Sequence, residues 1–365
     1  MHRIGFLLLF SFTTGISNAQ YNSIDIPRPF TTTTADIASY IKNNYNTDLE
    51  RTRAIYTWVT TNIRYSTDSA NSINMREDKD AKITFALRRR KGVCENYAAI
   101  FNDIALKIGL TSFVVSGYTK QSGTIDKEGH SWCTVLIDKD WHLFDPTWDE
   151  GREMNFKYFM MPPLEFITTH MPYDPQWQLL NYPITRQQFE NSNSYKNKQT
   201  SYFNYADTIK AFLQMDSLLQ LESSISRIQR EEISNKLVKD NFNYLKMHVE
   251  IINQDKDVDL YNSSVAGMND ATVILNNFIQ YRNNKFIPEK TDTEIQTLLD
   301  GIDSKLQLAI KNLDEIDRSK ATFTIGTQHV RERIQALVKR IKDQKDFVAM
   351  YTATEKNTRQ ALFYK

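Results

Sequence analysis

The stretch HSWCTVLIDKDWHLFDPTW, residues 130–148, decides the fold of the first half of the chain. Two runs rich in β-branched and aromatic residues flank residues 138–139, which suits a hairpin with a two-residue turn. In that hairpin Trp132 lies opposite Asp145, and His130 is the diagonal neighbour of Asp145 at roughly 7–8 Å between backbones. Because cross-strand partners and residues two apart on a strand share a face, His130 and Asp145 are expected to approach within hydrogen-bonding reach.

Upstream of the hairpin, residues 92–98 read GVCENYA and place Cys94 directly after a glycine turn, at the start of a helix. An apolar stripe at helical spacing follows, formed by Tyr97, Phe101, Ile104 and Ile108. A helix N-terminus offers unpaired N–H groups and the positive end of the helix dipole, and both favour a thiolate over a thiol. A cysteine on a helix is also commonly a small core residue. Its position alone therefore does not establish a nucleophile.

The order of the remaining patterns predicts an α+β domain followed by a helical one. Helical spacing precedes the hairpin from Asp36, and TSFVVSGYT, residues 111–119, is a further strand. A proline-rich aromatic tail ends near Phe189, and the polar, aperiodic segment 191–201 is expected to be a linker. Residues 202–365 carry apolar helical stripes without any cluster of chemically reactive residues, which is typical of an α-helical bundle.

Composition and charge give no sign of a nucleic-acid-binding protein. The 365 residues are 41% hydrophobic and 24% charged, with a formal net charge of +1. A charge so near zero gives no reason to expect nucleic acid or an acidic membrane as the main partner. The one dense basic run, residues 88–91, fits a solvated helix end.

The first twenty residues, MHRIGFLLLFSFTTGISNAQ, have the three-part pattern of a secretory signal peptide. A short basic start precedes an apolar run and then small residues, so cleavage is expected after Ala19. The apolar run is far shorter than the ~20 residues that span a bilayer, so no transmembrane anchor is expected. The mature chain, from Gln20, is expected to be periplasmic or extracellular.

Export makes a disulfide between Cys94 and Cys133 a serious alternative, because oxidising compartments favour disulfides. Cys133 is three residues from His130 and therefore points to the opposite face of the sheet. If the helix of Cys94 packs on the His130 face, the two sulfurs cannot meet. A zinc site built from the two cysteines with His130 and His142 is disfavoured, because it lacks closely spaced ligand pairs and is split between faces. No metal and no cofactor is expected.

GVCENYA, then GHSWCTV, then FDPTW resembles the transglutaminase-like superfamily, which has a papain-like fold and a nucleophile, histidine and aspartate in that chain order. The segment YTWVTTNIRYS, residues 56–66, is similar to the helix and strand that usually precede the cysteine. The segment FITTHMPYDPQWQLL, residues 166–180, is similar to the continuation in kyphoscoliosis-peptidase-like members. The resemblance covers roughly Asp36 to Phe189.

The resemblance implies that Cys94 is the nucleophile, His130 the general base and then acid, and Asp145 the orienting carboxylate. It implies a catalytic domain over residues 20–190, with a cysteine helix packed on an antiparallel sheet. The function expected is cysteine-dependent acyl transfer on a peptide or protein substrate, with hydrolysis favoured. Glutamine–lysine cross-linking and a non-catalytic peptide-binding module are the alternatives. The helical half is a candidate for binding a protein partner.

Two departures from the family pattern leave the expected triad intact. Cys133 stands where many members have asparagine, and in DPTWDEG the commoner small residues after the tryptophan are replaced. The oxyanion hole is less defined, because papain-type enzymes use an upstream glutamine and residues 21–93 contain none. The backbone N–H of Cys94 supplies one donor. Trp58 and Tyr65 are candidates for the second, although each also fits a plain core aromatic. His170 is expected to have a structural hydrogen-bonding role.

Overall fold

The computed structural model describes residues 25–67, 79–151, 156–191, 201–318 and 326–364. The expected signal peptide and most of the expected linker lie outside the described residues. No helix in the described ranges is long and apolar enough to cross a membrane. The chain divides into two compact units, one comprising Met1–Met215 with Ser223–Phe242 and the other Asp216–Glu222 with Asn243–Lys365.

Helices form the N-terminal part of the first unit. In order they are α1 (Thr34–Asn44), α2 (Asp48–Asn62), α3 (Lys79–Arg89) and α4 (Cys94–Ile108). Thr33 and Thr47 begin the first two helices with capping boxes, in which the threonine side chain and an acidic side chain three residues later each accept a backbone N–H. Two short strands, β1 (Arg64–Tyr65) and β2 (Lys91–Gly92), pair in parallel, and β2 directly precedes α4.

A five-stranded antiparallel sheet follows, with the strand order β6-β5-β4-β3-β7. Its members are β3 (Ser112–Gln121), β4 (Thr124–Ile137), β5 (Asp140–Phe144), β6 (Phe159–Met161) and β7 (His170–Pro172). The predicted hairpin is confirmed: Ile137 pairs with Asp140, and the two turn residues between them have φ values of 51° and 74°. Those positive values are the ones a type I′ turn requires. The α+β fold is therefore as the sequence predicted.

The two faces of the sheet carry different cores, and α4 packs on the face of Cys133. Cys133 is fully buried, its sulfur lies 3.4 Å from the carbonyl oxygen of Ala98 in α4, and it shares a core cluster with Phe101. Trp132, on the opposite face, packs in a separate cluster with Trp177. The sequence argument against a disulfide assumed that α4 packs on the face of His130. That assumption is wrong, because α4 packs against the apolar residues of β4 around Cys133. Both cysteines are nevertheless free thiols.

The first unit continues well beyond the predicted linker. After α5 (Pro163–Phe166) and α6 (Arg186–Glu190) come α7 (Tyr205–Phe212) and the part of α8 (Ser217–Ile228) from residue 223 onward. Ile209 and Phe212 of α7 are buried in the Trp132 cluster, where the Phe212 ring lies 5.8 Å from that of Trp177. The boundary predicted at 191–201 thus differs from the division in the structure, because the apolar face of α7 completes the core of the first unit.

The second unit is helical throughout its described residues outside the connections. It contains residues 217–222 of α8 and the part of α9 (Lys236–Asn283) from residue 243 onward, together with α10 (Asp292–Thr297), α11 (Ile302–Asp317) and α12 (Gln328–Ala353). A capping box formed by Thr291 and Glu294 begins α10. The apolar stripe that follows it is divided between two helices, because Gly301 adopts a φ of 76° and separates them. One apolar cluster forms the core of this unit.

Candidate active site

Cys94 is placed at the first position of α4 by the short strand pair and the glycine before it. A Cβ atom at Gly92 would lie 2.6 Å from Cβ of Asn96, so only glycine leaves room for that side chain. The side-chain Oδ1 of Asn96 accepts a hydrogen bond from the backbone N–H of Val93 at 3.0 Å, which closes the turn into the helix. The N–H of Cys94 therefore belongs to the first helical turn, whose N–H groups have no partner within the helix.

His130 is held on β4 by close packing with neighbouring strands. It pairs with Gly117 of β3, and Gly117 pairs in turn with Pro172 of β7. A Cβ atom at Gly117 would lie 2.2 Å from the carbonyl oxygen of Met171 and 2.4 Å from the Trp132 ring. The absence of a side chain at Gly117 thus lets β7 approach the sheet next to His130.

Asp145 lies immediately after β5 and is fully buried. Its Oδ2 is 2.7 Å from Nε2 of His130, so the predicted hydrogen bond is present. Its Oδ1 accepts the backbone N–H groups of Thr147 at 2.8 Å and Trp148 at 3.3 Å. The DPTW turn therefore fixes the carboxylate from one side while the histidine fixes it from the other.

The electrostatics of this pair favour opposite charges. Burial by itself raises the pKa of Asp145, but the nearby imidazoles of His130 and His170 hold it well below its usual range. Burial lowers the pKa of His130, but Asp145 and Cys94 outweigh it and raise that pKa to about 10. At neutral pH the ring is therefore an imidazolium paired with the Asp145 carboxylate.

Cys94 and His130 line one cleft of about 430 Å³. Tyr65 also lines it and is 48% exposed, and its pKa is raised by partial burial and by the neighbouring Cys94. Trp58 is 1% exposed and lies beneath the guanidinium of Arg90, away from the cleft lining. Of the two side chains considered as a second oxyanion donor, the structure brings Tyr65 to the thiol and keeps Trp58 in the core.

Residues 35–146 match the family model described as the transglutaminase-like superfamily. This part of the chain is a transglutaminase-like domain. The domain holds Cys94, His130 and Asp145 in the chain order that the sequence resemblance implied.

Known proteins with similar sequences include kyphoscoliosis peptidase of Mus musculus, 33% identical over 183 residues, which is 45% of this chain and 27% of that protein. Hillarin of Drosophila melanogaster is 26% identical over 187 residues, covering 44% of this chain and 22% of that protein. The chain thus matches only about a quarter of the length of these relatives. A crystal structure described as a putative cysteine protease from Cytophaga hutchinsonii is 18% identical over 34% of this chain and 44% of that one, with a TM-score of 0.25, which is too low to carry an argument.

Sequence reasoning gave His170 a hydrogen-bonding role but did not place it beside Asp145. Its Nε2 lies 3.0 Å from Oδ2 of Asp145, the same oxygen that His130 contacts. His170 is fully buried, and the rings of Phe166 and Trp148 lie 4.1 and 4.4 Å from it. The signal in the sequence was the segment 166–180, which contains His170 and is similar to the family's continuation, but it does not reveal the pairing of β7 with β3.

The structure does not bring together the zinc ligands considered from the sequence. Cys133 is on the opposite face of the sheet from His130, and His142 pairs with Val135 farther along the hairpin. Ligand atoms of His130, Asp145 and His170 do lie within 4.8 Å of one another. Hydrogen bonds between Asp145 and the two rings account for this proximity.

Proposed function

We propose that the transglutaminase-like domain catalyses cysteine-dependent acyl transfer, with Cys94 as nucleophile, and that its reaction is hydrolysis of a peptide or amide bond. The observation that carries the proposal is that one imidazole, His130, contacts a buried carboxylate and lines the same cleft as a free thiol. A nucleophile is activated when a base contacts it and a carboxylate orients that base, and these three groups are present here.

The geometry assigns a task to each nitrogen of His130. Nε2 is directed to Asp145, which leaves Nδ1 as the nitrogen available to Cys94. In the proposed ion pair the imidazolium carries on Nδ1 the proton that the Cys94 thiol has given up. The thiolate then attacks the carbonyl carbon of the substrate, and the imidazolium donates its proton to the departing amine as the carbon–nitrogen bond breaks. In the second half, the neutral ring takes a proton from water, which hydrolyses the thioester and releases the acid.

The oxyanion formed in each half needs donors already in place. The backbone N–H of Cys94, in the first turn of α4, is one such donor. We propose the phenol of Tyr65 as the second, because it is the candidate side chain that lines the cleft with the thiol.

Thiol alkylation tests the first chemical requirement. Iodoacetamide near neutral pH is expected to modify Cys94 rapidly and Cys133 only after unfolding, since Cys133 is fully buried. Cys94→Ala is expected to abolish native-state labelling and turnover, whereas Cys133→Ala serves as the control that retains both. Equal labelling of the native wild type and Cys94→Ala would remove the basis for the proposal.

A peptide-library screen on the active chain then tests the reaction itself. Hydrolysis predicts new peptide termini that appear without an added amine, because water resolves the acyl-enzyme. If products form only when a primary amine is supplied and contain that amine, the reaction is cross-linking rather than hydrolysis. Peptide binding without any product would support a binding module.

A further inference from the structure

Four donors surround the carboxylate of Asp145. The two imidazole Nε2 atoms lie 2.7 Å (His130) and 3.0 Å (His170) from Oδ2, and two backbone N–H groups reach Oδ1. Only one of these imidazoles, that of His130, lines the cleft. The orienting role of Asp145 requires a single histidine, so the second needs its own explanation.

His170 is held in the neutral form. Burial, together with the positive charge of His130, lowers the pKa of His170 to about 4, although its bond to Asp145 opposes this. A neutral ring has one N–H, and an ionised carboxylate only accepts, so the proton of His170 is on Nε2. Its Nδ1 then accepts a hydrogen bond from the hydroxyl group of Thr169, whose oxygen is 2.8 Å away.

We propose that His170 is a positioning residue of the candidate active site: its Nε2–H holds Asp145 in a fixed orientation as an ionised acceptor, so that His130 alone moves the catalytic proton. This inference rests on the proposed function. His170 adds a donor without adding a charge, and it does not line the cleft and so is not placed to touch substrate.

The consequence is a specific kinetic signature. Without the His170 donor, the carboxylate of Asp145 takes up a proton at a higher pH, because its ionised form has lost one hydrogen bond. The acid limb of activity should therefore move toward neutral pH. Turnover should fall at the chemical step while KM stays unchanged, because no substrate contact is lost.

The test uses the full chain with two substitutions at His170. His170→Phe retains a ring in the pocket formed by Phe166 and Trp148 but removes the donor. It is expected to lower kcat by about tenfold to a hundredfold, the range for losing a hydrogen bond to a charged group. His170→Gln places an amide N–H near the Nε2 position and is expected to restore much of the loss and the original pH profile.

Gln178→Met is the matched control for loss of buried hydrogen bonds in the same tail. Gln178 is 2% exposed and exchanges hydrogen bonds with the backbone of Ile184. This variant should be less stable than the wild type. Its turnover, divided by the amount of Cys94 that can be alkylated, should keep the wild-type dependence on pH. A His170→Phe profile and kcat equal to wild type on the same normalisation would overturn the inference.

A readout independent of turnover separates this inference from the proposed function. In chains labelled with ¹⁵N-histidine, with His130→Gln used for assignment, the ring signals of His130 report protonation of the adjacent Asp145. Their acid-side inflection should appear at higher pH in His170→Phe than in wild type and return in His170→Gln. An unmoved inflection overturns the positioning role even in a chain without turnover. If the wild type is neither alkylated nor active, but the inflection of the His130 signals still shifts in His170→Phe, then only the proposed function is overturned and the positioning role of His170 stands.

Discussion

His130 and Asp145 are 15 residues apart in the chain, and their side chains meet at 2.7 Å with the carboxylate fully buried. The hairpin register favours this contact. It pairs Cys133 with Phe144, which puts Trp132 opposite Asp145 and makes His130 the diagonal neighbour of Asp145 on the same face. The contact is thus built into the strand pairing rather than dependent on a flexible loop.

Asp145→Asn should therefore impair turnover more than it impairs folding. In the wild type, two imidazoles donate to a carboxylate that can only accept hydrogen bonds. The asparagine amide offers one acceptor and one donor group instead, so it no longer fixes the tautomer of the His130 ring. A fall in kcat on the order of 10⁴ is the loss found for the comparable serine triad. The measurement is turnover per folded chain.

Asp149→Asn is the control for the same substitution at a nearby buried carboxylate. Asp149 is fully buried and accepts the backbone N–H of Tyr158 at 2.7 Å, but it does not contact His130. It should lower stability and leave turnover per folded chain close to wild type. Equal losses of turnover in the two variants would mean that Asp145 acts only through folding.

The stability of the first unit should depend on pH in a way that identifies His130. Its pKa is raised from 6.5 to about 10, so the folded state retains a proton between those values that the unfolded state releases. Its contribution is complete below about pH 6.5 and is lost as pH rises through the folded pKa. His130→Gln should flatten this alkaline decline in the free energy of unfolding.

His170 gives the opposite dependence on the acid side. Its pKa is lowered to about 4, so between pH 6.5 and 4 the unfolded state binds a proton that the folded state does not. Stability should fall as pH drops through this window, and His170→Phe should reduce the slope. Tryptophan fluorescence isolates the first unit, because all five tryptophans of the chain lie within it. Identical pH curves for both variants and wild type would contradict a protonated His130 and a neutral His170 in the folded state.

The hairpin was predictable because alternation and turn chemistry are local. The side on which α4 packs was not, since it depends on which face of β4 has the better apolar surface, and both Trp132 and Cys133 are fully buried. The contact of His170 with Asp145 depends on β7, a three-residue strand that pairs with β3 some fifty residues earlier. Such pairing leaves almost no periodic signal in the sequence.

Gly117 controls that non-local pairing. Gly117→Ala should destabilise the first unit and displace β7, because the added Cβ would meet backbone atoms of Met171 and Pro172 at 2.2 and 2.8 Å. Backbone cannot yield as a flexible side-chain end can. The measurements are urea unfolding and the His170 ring signals in ¹⁵N spectra. Ser116→Ala, at the exposed neighbouring position, is the control, and an equal effect of both substitutions would count against the close approach of β7.

The first unit also depends on Arg227, which lies beyond the linker predicted from the sequence. Its Nε and Nη2 each lie 2.7 Å from an oxygen of Asp174, and both side chains are buried. A planar guanidinium suits such a two-pronged contact, and removal of one partner leaves the other charge buried without its counter-ion. Arg227→Met should therefore lower the free energy of unfolding of the first unit by about 3–5 kcal/mol.

Urea unfolding followed by tryptophan fluorescence measures this loss, with Trp177 three residues from Asp174 in the chain. Arg230→Met removes an exposed arginine next to the same helix and should change stability by no more than roughly 0.5 kcal/mol. A shift of the urea midpoint in Arg227→Met alone would show that residues 223–242 fold together with the residues before 191. Indistinguishable unfolding curves for the two variants would instead support a domain boundary at the polar segment 191–201.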